Sequence, residues 1–302
     1  MSSDRILLIG AKGQLGETFS KHFMDSSFSQ RYELTRIDIK ELNFLFRDVI
    51  PKKLSELSPS IIVNCAAYTN VDKAEQEFEL AKNINDDAVS IIAKWASQNQ
   101  CRLVHISTDY VFDGSKNQPY TPSDNPNPLC IYGKTKLAGE MHVLGMPKKG
   151  GVVIRTSWLY SEFGSNFVKS MLKLMSEKQE LSIVSDQVGS PTSSHSLVKV
   201  IFEVLNNKLS STILHWTDGA SISWYDFACE IQRQAYDQRM LIKKIPIKPI
   251  KSSAYQSVAT RPTYSVLDRR EILDQLNLKP SNWENELGRV LIEIGSPQSE
   301  FL

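Results

Sequence analysis

The chain has 302 residues, with 35 Lys+Arg against 34 Asp+Glu and a formal net charge of +1. That length suits about two domains, and the balanced charge supplies no global field for nucleic acid or an anionic membrane surface. With 41% hydrophobic and 23% charged residues the composition is that of a folded globular protein, not a mostly disordered chain. No apolar run approaches the roughly 20 residues of a bilayer span. The apolar run at 6–9 is too short for a signal-peptide core, so a cytoplasmic location is expected. Cys65, Cys101, Cys130 and Cys229 form no CxxC pair and read as reduced thiols, and the five histidines are scattered and suggest no metal centre.

The first half alternates short apolar runs with helical spacing. Residues 5–10 read as a buried strand closing on a glycine turn, 14–23 as a helix, 32–38 as a strand ending on an acid, and 47–57 as a helix. Residues 60–64 give a third strand, 80–98 a long helix, 102–107 a fourth strand, 129–144 a helix and 151–156 a fifth strand. Such alternation implies βαβ units with right-handed crossovers and a doubly wound parallel sheet covered on both faces. The second half is less regular. Helical patterns occupy 166–178, 194–206, 223–238, 268–276 and 284–294, a short strand 212–216, and a proline-broken extended stretch 245–250. The chain has no repeat, low-complexity tract or long linker, so this half is expected to pack tightly onto the first.

Gly10-Ala11-Lys12-Gly13-Gln14-Leu15-Gly16 lies between the first strand and the first helix. Glycines there permit a tight turn and let backbone N–H groups approach a pyrophosphate at the helix N-terminus. The spacing also suits an ordinary strand–helix turn; its place at the opening of the βαβ series favours a dinucleotide. Asp38, at the end of the second strand, can accept from both adenosine ribose hydroxyls, which favours NAD. Arg36 and Lys40 beside it can accommodate a 2′-phosphate, so NADH and NADPH both stay open.

Tyr132 and Lys136 are four residues apart in a helical pattern and share a face. A phenol with a pKa of about 10 is a poor acid or base at neutrality, and a neighbouring ammonium favours the phenolate. Thr108, in Ser107-Thr108-Asp109 at the end of the fourth strand, stands where open α/β sheets hold their ligands and can donate to a carbonyl or alkoxide. Arg261 before Pro262 suits either a diphosphate or a surface ion pair. Asn166 reads as a helix cap and Cys130 as a small buried thiol.

On these residues, and on segments 64–75, 107–114, 132–140, 155–160 and 185–192, the chain resembles the extended short-chain dehydrogenase/reductases. Within them it is similar to the dTDP-4-dehydrorhamnose reductase family, over nearly its whole length. The architecture expected is α/β: a doubly wound parallel Rossmann sheet over 1–158 and a smaller C-terminal α/β substrate domain over 159–302, with 212–216 returning to the sheet. The resemblance implies reduction of the C4 ketone of dTDP-4-dehydro-L-rhamnose to dTDP-L-rhamnose by NADPH or NADH, for polysaccharide synthesis. Tyr132 would protonate the C4 oxygen, Lys136 would lower the tyrosine pKa and hold the nicotinamide ribose, and Thr108 would bind the reacting oxygen. Gly13, Gln14 and Leu15 match the pyrophosphate turn, with Gly10 and Gly16 of the glycine motif as further cofactor-binding candidates, and Asp38 matches the ribose acid. Ala67, Tyr68, Thr69 and Ile106 match further cofactor contacts. Asn43 before Phe44 stands where the family often has an acid facing the adenine, and an amide can still bond an adenine amino group. Val71, Thr108, Asp109, Trp158 and Arg261 are the substrate-binding candidates.

The partner so implied is a small nucleotide sugar, not nucleic acid or a membrane, and a homodimer is compatible. Some members bind Mg²⁺ through three glutamates at a dimer interface. The matching positions here, Thr18, His195 and Glu293, keep one carboxylate, too few for a hard cation, and no metal is expected. A 4,6-dehydratase would need Asp-Glu after the threonine, whereas Tyr110 follows Asp109. The alternatives are a reductase giving the C4 epimer, dTDP-6-deoxy-L-talose, and a non-catalytic NADP-binding regulatory subunit, against which the Thr108, Tyr132 and Lys136 set argues.

Overall fold

Successive side chains of β1 (Asp4–Ile9) point to opposite sides of the sheet. Ile6 and Leu8 enter one core, Leu7 and Ile9 another, and all four are buried. A strand with no polar face belongs inside a parallel sheet with helices on both sides. This computed structural model describes residues 4–146, 150–207, 209 and 212–296. The helices α1 (Gln14–Met24) and α2 (Val49–Leu57) flank β2 (Tyr32–Ile37) in sequence. After β3 (Ile61–Asn64) come the short α3 (Val71–Ala74), α4 (Phe78–Lys82) and α5 (Ala88–Gln98). Then β4 (Arg102–Thr108), α6 (Ile131–Leu144) and β5 (Gly151–Thr156) complete the first half.

The second half has short strands β6 (Leu159–Tyr160), β7 (Leu181–Val184), β8 (Val188–Gly189), β9 (Thr192–Ser193), β10 (Thr212–His215), β11 (Ile222–Ser223) and β12 (Ile247–Ile250). Its helices are α7 (Phe167–Glu177), α8 (Ser194–Asn206), α9 (Trp224–Asp237), α10 (Arg270–Leu276) and α11 (Trp283–Gly295). The main sheet has the order β10-β5-β4-β3-β1-β2, with every pair parallel. The fold is therefore a doubly wound Rossmann sheet. Strand order reverses beside β1, and the crevice at such a switch point is where open sheets bind ligands.

One face of the sheet is covered by α1, α8 and α10 through Phe19, Leu197, Ile201 and Ile272. The other is covered by α2, α5 and α6 through Ile50, Leu54, Ile92 and Val143. A third core, with Tyr160, Met171, Phe227 and Leu287, joins α7, α9 and α11. The sheet draws on both halves, because β10 lies in register with β5 and the Phe19 and Phe202 rings meet 5.0 Å apart between α1 and α8. Pro249 is accommodated because β12 pairs with β7 alone.

The long helix read over 80–98 begins earlier, at Phe78, and contains a π-helical turn at Asn83–Asp87 between α4 and α5. Asn85 in that turn accepts from the Tyr68 N–H at 2.8 Å and donates to the Tyr68 carbonyl at 3.1 Å and to Thr135 Oγ1 at 3.2 Å. It thereby clamps the loop after β3 against α6. Among the described residues no helix is long and apolar enough to cross a membrane.

Candidate active site

The turn after β1 is built for close backbone approach. Gly10 has φ +79°, and a Cβ there would stand 2.6 Å from the Ala66 nitrogen; a Cβ at Gly16 would collide with the Gly10 carbonyl. Gly13 caps α1 without any side-chain bond, so the first N–H groups of the helix have no side-chain partner at the cap. A cradle of backbone donors with no side chain inside it fits a pyrophosphate. Asp38 borders it, accepting from the Lys12 and Ile39 N–H groups, each at 2.8 Å. The neighbouring Arg36 guanidinium is engaged with Glu17 at 2.7 Å.

This turn opens a cleft of about 790 Å³. Of the candidates from sequence, Gly10, Gly13, Gln14, Leu15, Gly16, Asp38, Asn43, Phe44, Ala67, Thr69, Val71, Ile106, Thr108, Asp109, Tyr132, Lys136 and Trp158 all line it. Two candidates point elsewhere. The Tyr68 hydroxyl donates to Glu77 at 2.6 Å, leaving only its backbone on the clamped loop. Arg261 makes a bidentate pair with Asp72, at 2.7 and 3.1 Å, while Asp72 also accepts from the Val258 and Ala259 N–H groups. Of the two readings of Arg261, the structure has the ion pair.

The reacting groups come from the end of β4 and the first turns of α6. Thr108 Oγ1 accepts from the Tyr110 N–H at 3.2 Å, donates to Asp109 Oδ1 at 3.2 Å, and shares a hydrogen bond with the Tyr132 hydroxyl. Burial holds the Tyr132 phenol above the ordinary tyrosine pKa. Lys136 is 2% exposed; its Nζ donates to the Ile106 carbonyl at 2.7 Å and lies 3.2 Å from His105 Nε2. Burial lowers its pKa to about 8. The Asp109 carboxyl is pushed up to about 6 by burial, against the hydrogen bonds it receives from Ser265 and Thr108. Its Oδ2 has no hydrogen-bond partner among the described residues. A buried acceptor without a donor is costly, and a ligand hydroxyl entering the cleft would satisfy it.

Trp224 was not legible as a site residue. It lines the cleft beside Trp158, with the two ring centroids 3.5 Å apart. The only local signal is the capping box of Ser223 and Asp226, which fixes where α9 begins and so where the indole stands. Ser157, Leu80 and Ile84 also line the cleft without having been singled out. Away from the cleft, Asn166 accepts from the Lys169 N–H at 3.1 Å and caps α7, and Cys130 is buried. Thr18 donates back to the Gln14 carbonyl, His195 bridges His22 and Glu162, and Lys21 holds Glu293.

The family profile described as RmlD substrate binding domain matches residues 4–295. A dTDP-4-dehydrorhamnose reductase of Aggregatibacter actinomycetemcomitans is 36% identical, over 95% of this chain and 98% of that protein. The spore coat polysaccharide biosynthesis protein SpsK of Bacillus subtilis is 34% identical, over 97% of this chain and 98% of its own length. Among solved structures, a dTDP-4-dehydrorhamnose reductase from Clostridium acetobutylicum superposes with a TM-score of 0.89 at 35% identity, covering 97% of this chain and all of that one (100%). The Bacillus anthracis enzyme of the same name, in complex with NADP, gives 0.87 at 36% identity, over 96% of this chain and 99% of that one. dTDP-glucose 4,6-dehydratases at 14% identity share the fold alone. With a cradle for a dinucleotide, a Thr-Tyr-Lys set beside it and matches along its whole length, the chain belongs to the RmlD substrate-binding-domain family, that of the dTDP-4-dehydrorhamnose reductases.

Proposed function

We propose that this chain reduces the C4 ketone of dTDP-4-dehydro-L-rhamnose to dTDP-L-rhamnose with NADPH or NADH, in the cytoplasm, for polysaccharide synthesis. The observation that carries the reading is the convergence of Thr108, Tyr132 and Lys136 on one cleft with the glycine cradle. A nicotinamide dinucleotide bound there supplies the hydride. The turn from Gly10 to Gly16 and the α1 N-terminus receive its pyrophosphate. Asp38 accepts from ribose hydroxyls, Asn43 and Phe44 border the adenine, and Ala67, the Tyr68 backbone, Thr69 and Ile106 lie along the rest.

The hydroxyls of Thr108 and Tyr132 face the ketone oxygen together. Tyr132 gives that oxygen its proton as the alkoxide develops, and Thr108 holds it. The Lys136 ammonium favours the tyrosinate left behind and binds the nicotinamide ribose. Asp109 accepts from a sugar hydroxyl, and Val71 and Trp158 wall the sugar. Arg261, paired with Asp72 in the structure, binds the diphosphate by giving up Asp72 for it. Rate comes from orientation and from donors already in place around the developing charge. The partner is a small molecule, and a homodimer is compatible with this reading.

The test is NADH and NADPH oxidation with dTDP-4-dehydro-L-rhamnose, with the C4 configuration of the product read by NMR. Oxidation with a rhamno product supports the reading. A talo product moves the enzyme to the epimeric sugar, and absence of oxidation with either cofactor overturns it.

A further inference from the structure

His105 on β4 is fully buried between Asn64, at the end of β3, and Lys136, on α6. Asn64 Oδ1 accepts from the Ala66 N–H at 3.2 Å, which turns the amide nitrogen toward the ring, 3.1 Å from Nδ1. Burial keeps the imidazole neutral, so it carries a single N–H. Since Nδ1 receives the Asn64 hydrogen, the ring hydrogen sits on Nε2, 3.2 Å from Lys136 Nζ. We propose that Asn64 and His105 are positioning residues for Lys136, forming a one-way hydrogen-bond chain from the Ala66 amide that ends on the lysine lone pair.

An amine accepts the Nε2–H; an ammonium has no lone pair and sets N–H against N–H. The bond to the Ile106 carbonyl is a donor bond that both forms make. The chain therefore makes Lys136 a ready proton donor. After Tyr132 has protonated the ketone oxygen, an N–H bond of the Lys136 ammonium breaks and its proton, relayed across the hydroxyl-lined cleft, re-forms the Tyr132 O–H. The freed lone pair then accepts a hydrogen bond from Nε2–H, which stays on the ring, and a proton from bulk solvent restores the Lys136 ammonium. The groups acting on Lys136 are Glu140 on its own helix, Cys65 after β3 and His105 on β4, while Tyr132, one helical turn earlier, and Asp109 line the same cleft. Glu140 is gripped by Arg155, Cys65 is held protonated to about 12 by burial, and Asp109 changes charge at about 6.

The kinetic part of this proposal rests on the reductase reading; the tautomer does not. Nitrogen-15 NMR of His105 in the intact protein should show the hydrogen on Nε2. Asn64→Asp, which accepts on both sides, should move it to Nδ1. In the same samples, carbon-13 NMR of labelled lysine, with Lys136 assigned through Lys136→Met, should show the Lys136 midpoint rising by about one pH unit in Asn64→Asp. His105→Gln accepts from Asn64 and donates to Lys136, so it should keep the wild-type midpoint. If Asn64→Asp does not fold, His105→Met, which removes the donor, should raise the midpoint instead. A hydrogen on Nδ1 in the wild type, or a midpoint that stays or falls in Asn64→Asp or His105→Met, overturns the chain. Where reduction is observed, the alkaline limb of kcat should follow the Lys136 midpoint. A protein that reduces no keto sugar refutes the functional reading while the NMR still decides the chain.

Discussion

Trp158 and Trp224 stack face to face, their ring centroids 3.5 Å apart and their planes 12° from parallel. Trp158 reaches this position with φ +47°, a left-handed conformation that costs a bulky residue on the order of 1–3 kcal/mol. Gly189 makes room for it, since a Cβ there would lie 2.6 Å from the indole. The stack therefore holds a strained residue in the cleft wall. Such a pair contributes about 0.5–1.5 kcal/mol beyond its buried area. Trp224→Ala is expected to raise KM for the nucleotide sugar roughly three- to tenfold. The cofactor Kd should stay unchanged, and Trp224→Phe should recover most of the loss. Steady-state kinetics with calorimetric cofactor binding checks this; an equal loss for cofactor and sugar would refute it.

Asp109 trades stability for binding. Its folded pKa of about 6 lies above the ordinary 3.8 because the carboxylate is buried. The folded state holds the proton more tightly than the unfolded chain between those values, so stability falls as pH rises from about 4 to 6. The full cost, on the order of 3 kcal/mol, is present above pH 6. Asp109→Asn should raise Tm at pH 8, leave it nearly unchanged below pH 4, and raise KM for the sugar. Thermal melts across that range decide it, and a Tm difference independent of pH would exclude this cause.

Glu140 and Arg155 form a bidentate pair, 0% and 1% exposed at their side chains, between α6 and β5. The Arg155 guanidinium also lies 5.1 Å from the Phe112 ring centre. Removing one partner strands a buried charge, so Glu140→Leu is expected to cost about 3–5 kcal/mol. The double variant Glu140→Leu, Arg155→Met should recover most of that. Denaturant unfolding of the two singles and the double measures it; additive losses would rule out the stranded charge as the cause.

Cofactor choice turns on Asp38. Its carboxylate is fixed by two backbone N–H groups, and Arg36 is committed to Glu17. A fixed carboxylate accepts from a ribose 2′-hydroxyl and repels a 2′-phosphate. Asp38→Asn should lower KM for NADPH and raise it for NADH, shifting the ratio of kcat/KM by about tenfold toward NADPH. Glu17→Gln, which frees Arg36, should shift it the same way by less. A ratio unmoved in both variants would remove Asp38 as the determinant.

The sequence was most informative where local chemistry dictates local structure. The glycine turn, the acid closing β2 and the Tyr132–Lys136 spacing each follow from a few neighbouring residues, and the structure sets all of them around one cleft. What stayed hidden depends on distant partners. The π-helical turn at Asn83–Asp87 has no periodic signature; its Asn85 is explained by Tyr68 and Thr135, which lie on other elements. Trp224 reads as an ordinary helix start until Trp158 is placed against it. Arg261 offered two partners by charge alone, and only the fold brings Asp72 beside it.

The return of β10 to the sheet bears on how such enzymes can be recombined. A cut after Trp158 would leave β5 with a bare edge where β10 now bonds, and α1 without the Phe202 ring that covers Phe19. Neither piece would be self-sufficient. A chimera that borrows another enzyme's sugar-recognition half must keep α8, β10 and α10 with the host, and so cannot be made with a single crossover point after β5.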